Sequence, residues 1–217
     1  MAILTTDAVI VRRRDIRETS LLLTAVTRDA GKITGLLKGV RGPRGTTGYL
    51  EPFTLQTLVF YERLRSDIDL ITQYELREPF LALRRDLAAT AYASYFCELM
   101  DHLLPLRDPH PALYELLVHA LTALQEGMNP ALLARLVEAQ LLAAGGVLPP
   151  PSALSLSRGA VLSLEQLLQA APPQWPRLRL TRAVEEELTA ALQRLMTQHV
   201  EARIKSLEFL RAVGVAG

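Results

Sequence analysis

At Pro79 the spacing of apolar residues switches from strand-like alternation to a helical period, and this constrains the fold more than any other feature of the chain. Before it, short apolar runs are separated by turn residues. Ala8-Val9-Ile10-Val11 ends in Arg12-Arg13-Arg14. Residues 21–26 form a second run, and Arg28-Asp29-Ala30-Gly31 reads as a tight hairpin into a third strand carrying Ile33, Leu36 and Leu37. Beyond a glycine-rich loop, Phe53, Leu55, Thr57, Val59 and Tyr61 share one parity, while Thr54, Gln56, Leu58 and Phe60 share the other. Residues 68–74 close the set. Five strands with a loop after the third have the rhythm of a small OB-type barrel, which leaves no long open edge.

After Pro79 the pattern predicts helices. Leu83, Leu87 and Ala91 begin a stripe that reaches Leu103 and stops at Pro105. Pro109 and Pro111 open a second helix that ends at Gly127, and Asn129-Pro130 caps a third that stops at Gly145-Gly146. Residues 147–162 are linker-like, beginning with Pro149-Pro150-Pro151. Ser163 with Gln166 suggests a capping box for a short helix to Ala170. Thr181 caps the last long helix, whose Glu185, Glu186 and Glu187 favour the positive end of its dipole, and Ser206 caps a terminal helix over 207–213. The predicted fold is α+β in two domains: an OB-type β-barrel over 1–79 and an all-α helical domain over 80–217.

With 49% hydrophobic and 22% charged residues the composition is globular, which excludes global disorder. Cys97 is the single cysteine, so no intramolecular disulfide can form, a usage compatible with a reducing cytoplasm. No run of eighteen apolar residues appears and the N-terminus lacks a signal pattern, so a soluble, cytoplasmic protein is expected, with no membrane partner. The net charge of +1 hides an uneven spread. Residues 1–48 carry nine Lys/Arg against four Asp/Glu, residues 49–79 three against six, and the remainder twelve against thirteen. A basic lobe on a neutral body suits a polyanion.

The basic residues concentrate in one loop. Lys38, Arg41 and Arg44 are spaced three apart among Gly39, Gly42, Gly45 and Gly48, around Pro43. Glycine permits close approach of backbone N–H groups to an anion, and cations on a pliable loop fit a phosphate backbone. Lys32 and the cluster Arg12, Arg13 and Arg14, with Arg17 nearby, extend the candidate DNA-binding set. The plain alternative is a solvated loop joining two strands. Phe60 and Tyr61 are candidates for base stacking, although one of the two must face the core. Helical spacing assigns Tyr92, Tyr95 and Phe96 to a core, with Cys97 inert among them.

Signals for catalysis are sparse. Asp67 and Asp69 have a D-x-D spacing that would put both carboxylates on one strand face, a possible metal site or a solvated hairpin. His102, His110, His119 and His199 are far apart, and no nucleophile elbow or nucleotide-binding loop is present. No cofactor is expected.

The segments TTDAVIVRRRDIRETSLLLTAVTRDAGKITGLLKGVR, YLEPFTLQTLVFY, ITQYELREPFLALRRDL and RIKSLEFL, in that order, resemble the bacterial DNA repair and recombination family RecO. The likeness runs with one gap from Thr5 to Leu210. It implies an N-terminal OB domain and a helical C-terminal domain. It also implies a non-catalytic mediator that binds single- and double-stranded DNA and anneals complementary strands. Its implied partners are RecR and the single-stranded DNA-binding protein, with which it helps load the RecA recombinase, and its implied location is the nucleoid. Many relatives carry a four-cysteine zinc module after the third helix. Here Leu148-Pro149-Pro150-Pro151-Ser152 stands in its place with no cysteine beyond Cys97, so the zinc module is missing. Two rival readings stand beside this resemblance: an RNA-binding OB protein, and a metal-dependent nuclease using Asp67 and Asp69.

Overall fold

The computed structural model describes residues 2–16, 18–40, 50–63, 65–200 and 203–212. Within them β1 (Ile3–Ile16), β2 (Ser20–Thr27), β3 (Lys32–Leu37), β4 (Leu55–Tyr61) and β5 (Ile68–Glu78) close into a barrel ordered β1-β2-β3-β5-β4. All pairings are antiparallel except a short parallel contact of β3 with β5. This is the OB-type arrangement that the strand rhythm predicts. β1 is much longer than its apolar run because it serves two neighbours: Ile3 to Val9 pair with β4, and Ala8 to Ile16 pair with β2.

Alternation along the strands sorts two cores. Ala8, Ile10, Leu21, Leu23, Ala25, Ile33, Leu58, Phe60 and Ile71 fill the barrel. Val9, Val11 and Val26 face the other way and join the core of the helices. The run Ala8-Val9-Ile10-Val11 is therefore covered on both sides, which is why it is continuously apolar.

A 3₁₀ turn, Leu81–Arg85, leads into α1 (Leu87–Leu103), α2 (Pro111–Gln125), α3 (Pro130–Ala144), α4 (Arg158–Gln169), α5 (Arg182–His199) and α6 (Lys205–Ala212). α3 is the central helix, buried from Leu132 through Ala139. Its N-terminus is capped by the Asn129 side chain, which accepts from the backbone N–H groups of Ala131 and Leu132 at 2.9 and 3.1 Å. Thr181 caps α5 as expected.

Two cap assignments differ from the sequence expectation. α4 is capped by Ser157 and already runs at Ser163, so the Ser163–Gln166 pair lies within the helix. Ser157 also donates to Glu187, with its backbone N–H at 2.5 Å and its hydroxyl at 2.7 Å, which ties the start of α4 to α5. α6 starts at Lys205, so Ser206 sits in its first turn and is no cap. The N–H groups of Lys205 and Ser206 are instead taken by the Glu98 carboxylate from α1, at 3.0 and 2.7 Å. Between α3 and α4 the chain makes a 3₁₀ turn, Pro151–Ala153. Another, Pro172–Arg177, buries Trp175, whose Nε1–H donates to the Ala170 carbonyl at 3.1 Å. Among the described residues no helix is long and apolar enough to cross a membrane.

Candidate nucleic-acid interface

A β-bulge decides which arginines of the Arg12-Arg13-Arg14 cluster reach solvent. Strict alternation from Ala8 and Ile10, which point into the barrel, would aim Arg12 and Arg14 inward and Arg13 outward. The register between β1 and β2 slips instead: Ile10 pairs with Ala25, but Arg12 pairs with Thr24, leaving Val11 as the extra residue. Arg12 and Arg14 are thereby turned outward, and Arg13 is turned toward the inner side. The exposures agree: the Arg12 side chain is 64% exposed and that of Arg13 18%.

Paired rows place the outward cations on one sheet face. Arg12 lies beside Thr24 and Thr34, and Arg14 beside Leu22 and Leu36. Lys38, one step past the end of β3, follows Leu36 on that same parity and is exposed. Among the described residues neither Arg14 nor Lys38 makes an ion pair. Arg12 is shared, its guanidinium lying 3.3 Å from the Thr24 hydroxyl and 3.4 Å from Asp101.

Two other cations of the candidate set are committed to carboxylates. Arg13 pairs with Glu51 and lies 3.5 Å from Asp15. Lys32, with only 12% of its side chain exposed, donates to the Asp101 carbonyl and lies 3.6 Å from the Asp101 carboxylate. Its position makes it a strut between barrel and α1. Arg41, Arg44 and Arg17 lie outside the described residues.

The strut belongs to a larger seam that sequence reasoning missed. Arg107, in the loop after α1, donates its backbone N–H to the Lys32 carbonyl at 2.9 Å. Its Nη2 reaches the Ser66 carbonyl at 2.6 Å and the buried Asp69 carboxylate at 2.7 Å. Gly31 permits the approach: at φ +70°, a Cβ there would lie 2.4 Å from the Asp108 carbonyl oxygen. No spacing in the sequence announces a contact between positions so far apart in the chain.

This seam also corrects the D-x-D reading. Asp69 is buried against Arg107 and accepts from the Arg63 backbone N–H at 3.0 Å, whereas Asp67 is exposed in the turn before β5. The two carboxylates do not share a strand face, and the described residues hold no group of three or more His, Cys, Asp or Glu that could hold a metal ion. Phe60 lies in the barrel core and Tyr61 is half-buried at the end of β4. Tyr92, Tyr95 and Phe96 are buried in the helical core, and burial pushes the Cys97 thiol well above its ordinary range.

A buried charged pair was also not foreseen. Glu138 on α3 accepts from Arg135 at 2.8 Å and from the Tyr95 hydroxyl at 2.6 Å. Burial raises the Glu138 carboxyl above its usual range despite the opposing effect of Arg135.

Comparison with known proteins agrees with this two-part layout. Residues 1–80 match the family model described as Recombination protein O N terminal, and residues 84–153 match Recombination protein O C terminal. DNA repair protein RecO of Symbiobacterium thermophilum is 30% identical, the alignment covering 97% of each chain. RecO of Desulforudis audaxviator is also 30% identical with 97% of each chain covered. RecO of Moorella thermoacetica is 28% identical over 96% of this chain and 90% of its own.

Proposed function

Because this chain belongs to the RecO family of DNA repair proteins, we propose that it is a non-catalytic recombination mediator that binds single- and double-stranded DNA and anneals complementary strands. With RecR and the single-stranded DNA-binding protein, it would help load RecA at the nucleoid. Residues 1–79 form the DNA-binding unit, and residues 80–217 form the scaffold that docks protein partners.

The observation that carries this reading is the outward row Arg12, Arg14 and Lys38 on the β1-β2-β3 face. Cations on one face can contact successive phosphates without reading bases, and binding is driven by released counterions. Annealing then needs no covalent step, because a cationic surface lowers the repulsion between two polyanions. Arg41 and Arg44, outside the described residues, would add phosphate contacts. Lys32 and Arg13, already paired, would contribute less.

The test is the salt dependence of DNA affinity. Reversing the charge at Lys38 and Arg41 together should weaken binding to every sequence and reduce the slope of log affinity against log salt by about 2. Annealing of strands coated with single-stranded DNA-binding protein should slow in parallel. Unchanged affinity in a folded variant would refute the assignment. Preferential binding of matched RNA over DNA would favour an RNA-binding OB protein, since the 2′-OH is what such a site could read.

A further inference from the structure

Between the bulged end of β1 and helices α1 and α6 lies a cleft of about 610 Å³, within the range that accommodates a ligand of nucleotide size. Phe53 lines it, half-buried. The residue is held at φ 64°, a left-handed conformation that costs on the order of 1–3 kcal/mol outside glycine. Phe80 and Arg107 are also left-handed, and both have an evident return: the Phe80 ring is buried and Arg107 makes the hydrogen bonds of the seam. The Phe53 ring has no comparable burial. Its backbone is nevertheless pinned, because the Phe53 N–H donates to the Ile10 carbonyl at 2.9 Å and the Ile10 N–H to the Thr54 carbonyl at 3.0 Å, and the ring rests partly buried against the helical core.

Four basic side chains, Arg12, Arg13, Arg203 and Lys205, line the cleft against two carboxylates, Glu98 and Asp101. Arg12, Arg203 and Lys205 are exposed, Arg203 sharing its charge with Glu208. The two lining carboxylates are already engaged, Glu98 by the N–H groups that start α6 and Asp101 by Lys32 and Arg12. A planar ring held among cations matches an unstacked base flanked by phosphates.

We propose that this cleft is a single-strand-specific subsite, in which one unpaired base stacks on Phe53 while its flanking phosphates lie on Arg12 and Lys205. The subsite rests on the DNA-binding reading above and adds to it a means of distinguishing an open strand from a duplex, whose bases are not free to enter.

The experiment compares oligothymidine with an abasic oligomer of equal length. Phe53→Leu should lower the ratio of their affinities about tenfold. Phe53→Trp should give a fluorophore quenched by oligothymidine and not by the abasic chain, over a constant background from buried Trp175. Lys205→Glu should weaken both oligomers. If the affinity ratio holds in Phe53→Leu, or both oligomers quench Phe53→Trp equally, the subsite is overturned. Should Lys38→Glu still weaken binding in that case, the mediator reading survives without it. Absence of DNA binding by the parent chain overturns both.

Discussion

Lys32 and Arg135 are both basic side chains held against carboxylates, in quite different settings. Lys32 is on the barrel and meets Asp101 of α1, with the Asp101 carbonyl as a second acceptor. Arg135 meets Glu138 one turn away on α3, both almost fully buried, and Arg135 Nε and Glu138 Oε2 lack hydrogen-bond partners among the described residues. The first pair joins segments distant in the chain and fixes how the lobes meet. The second joins residues the helix already holds together, so it adds little geometry and carries a desolvation cost. Charge at the seam specifies an arrangement, and charge in the helical core is a liability its neighbours must offset.

The largest expected effect tests that liability. Arg135→Met leaves Glu138 buried without a counter-charge and should lower unfolding free energy in urea by about 3–5 kcal/mol. Replacing both, as Arg135→Met with Glu138→Leu, should recover most of the loss. A double variant as unstable as the single would show that the pair contributes more than it costs, and would erase the contrast with the seam.

Next is Gly31, where the seam leaves no room. Gly31→Ala puts a methyl group against the Asp108 backbone and holds alanine at positive φ, for a loss of about 3 kcal/mol. Backbone cannot swing aside as a side-chain tip does. Resistance of the 105–110 loop to proteolysis should fall with it, and an unchanged loop would sink the account.

A smaller loss, about 1–2 kcal/mol, is expected for Lys32→Met, which among the described residues leaves Asp101 with Arg12 as its remaining ion-pair partner. Urea unfolding followed by Trp175 fluorescence, reporting the helical lobe, and by far-UV circular dichroism would check it. If Lys32→Met instead proves neutral for stability and weakens DNA binding as much as Lys38→Glu does, Lys32 belongs to the phosphate-binding row.

These contrasts also mark what the sequence could convey. The barrel and the helices were legible because burial on one face leaves a period, seen in Leu55 to Tyr61 and in the buried Ala91, Tyr95 and Leu99 of α1, although Leu83 of the expected stripe falls in the preceding 3₁₀ turn and Leu87 is exposed. The cationic loop is a reading of composition, and beyond Lys38 to Val40 it lies outside the described residues. The aim of individual arginines was not legible, because a bulge at Val11 inverts parity without altering residue types. The seam was hidden for another reason: Arg107, Asp69 and Lys32 look like ordinary surface charges until the chain brings them together. Ser163 and Ser206 misled because a serine near a helix start resembles a cap whether or not its hydroxyl reaches a free N–H. For α6 the acceptor came from Glu98, more than a hundred residues earlier.

That long-range cap gives the smallest effect, and its sign follows from the geometry. Burial pushes the Glu98 carboxyl up, but hydrogen bonds from the Ser206 hydroxyl and backbone, from the Lys205 backbone, and the nearby His102 outweigh it, so the group is held below the ordinary glutamate range. A carboxyl lowered in the folded state stabilises fully above its unfolded value, and that contribution is lost as pH falls through the lowered folded value. Helix α6 should therefore be docked at neutral pH and loosen in acid. Glu98→Gln keeps the shape and one acceptor oxygen but removes the charge, so it should cost about 1 kcal/mol near neutral pH and make stability less steeply dependent on pH in the acid range. Amide exchange across 205–212, compared at neutral and acidic pH, reads this directly. If acid loosens α6 as steeply in Glu98→Gln as in the parent, another titrating group governs its docking and the Glu98 cap does not.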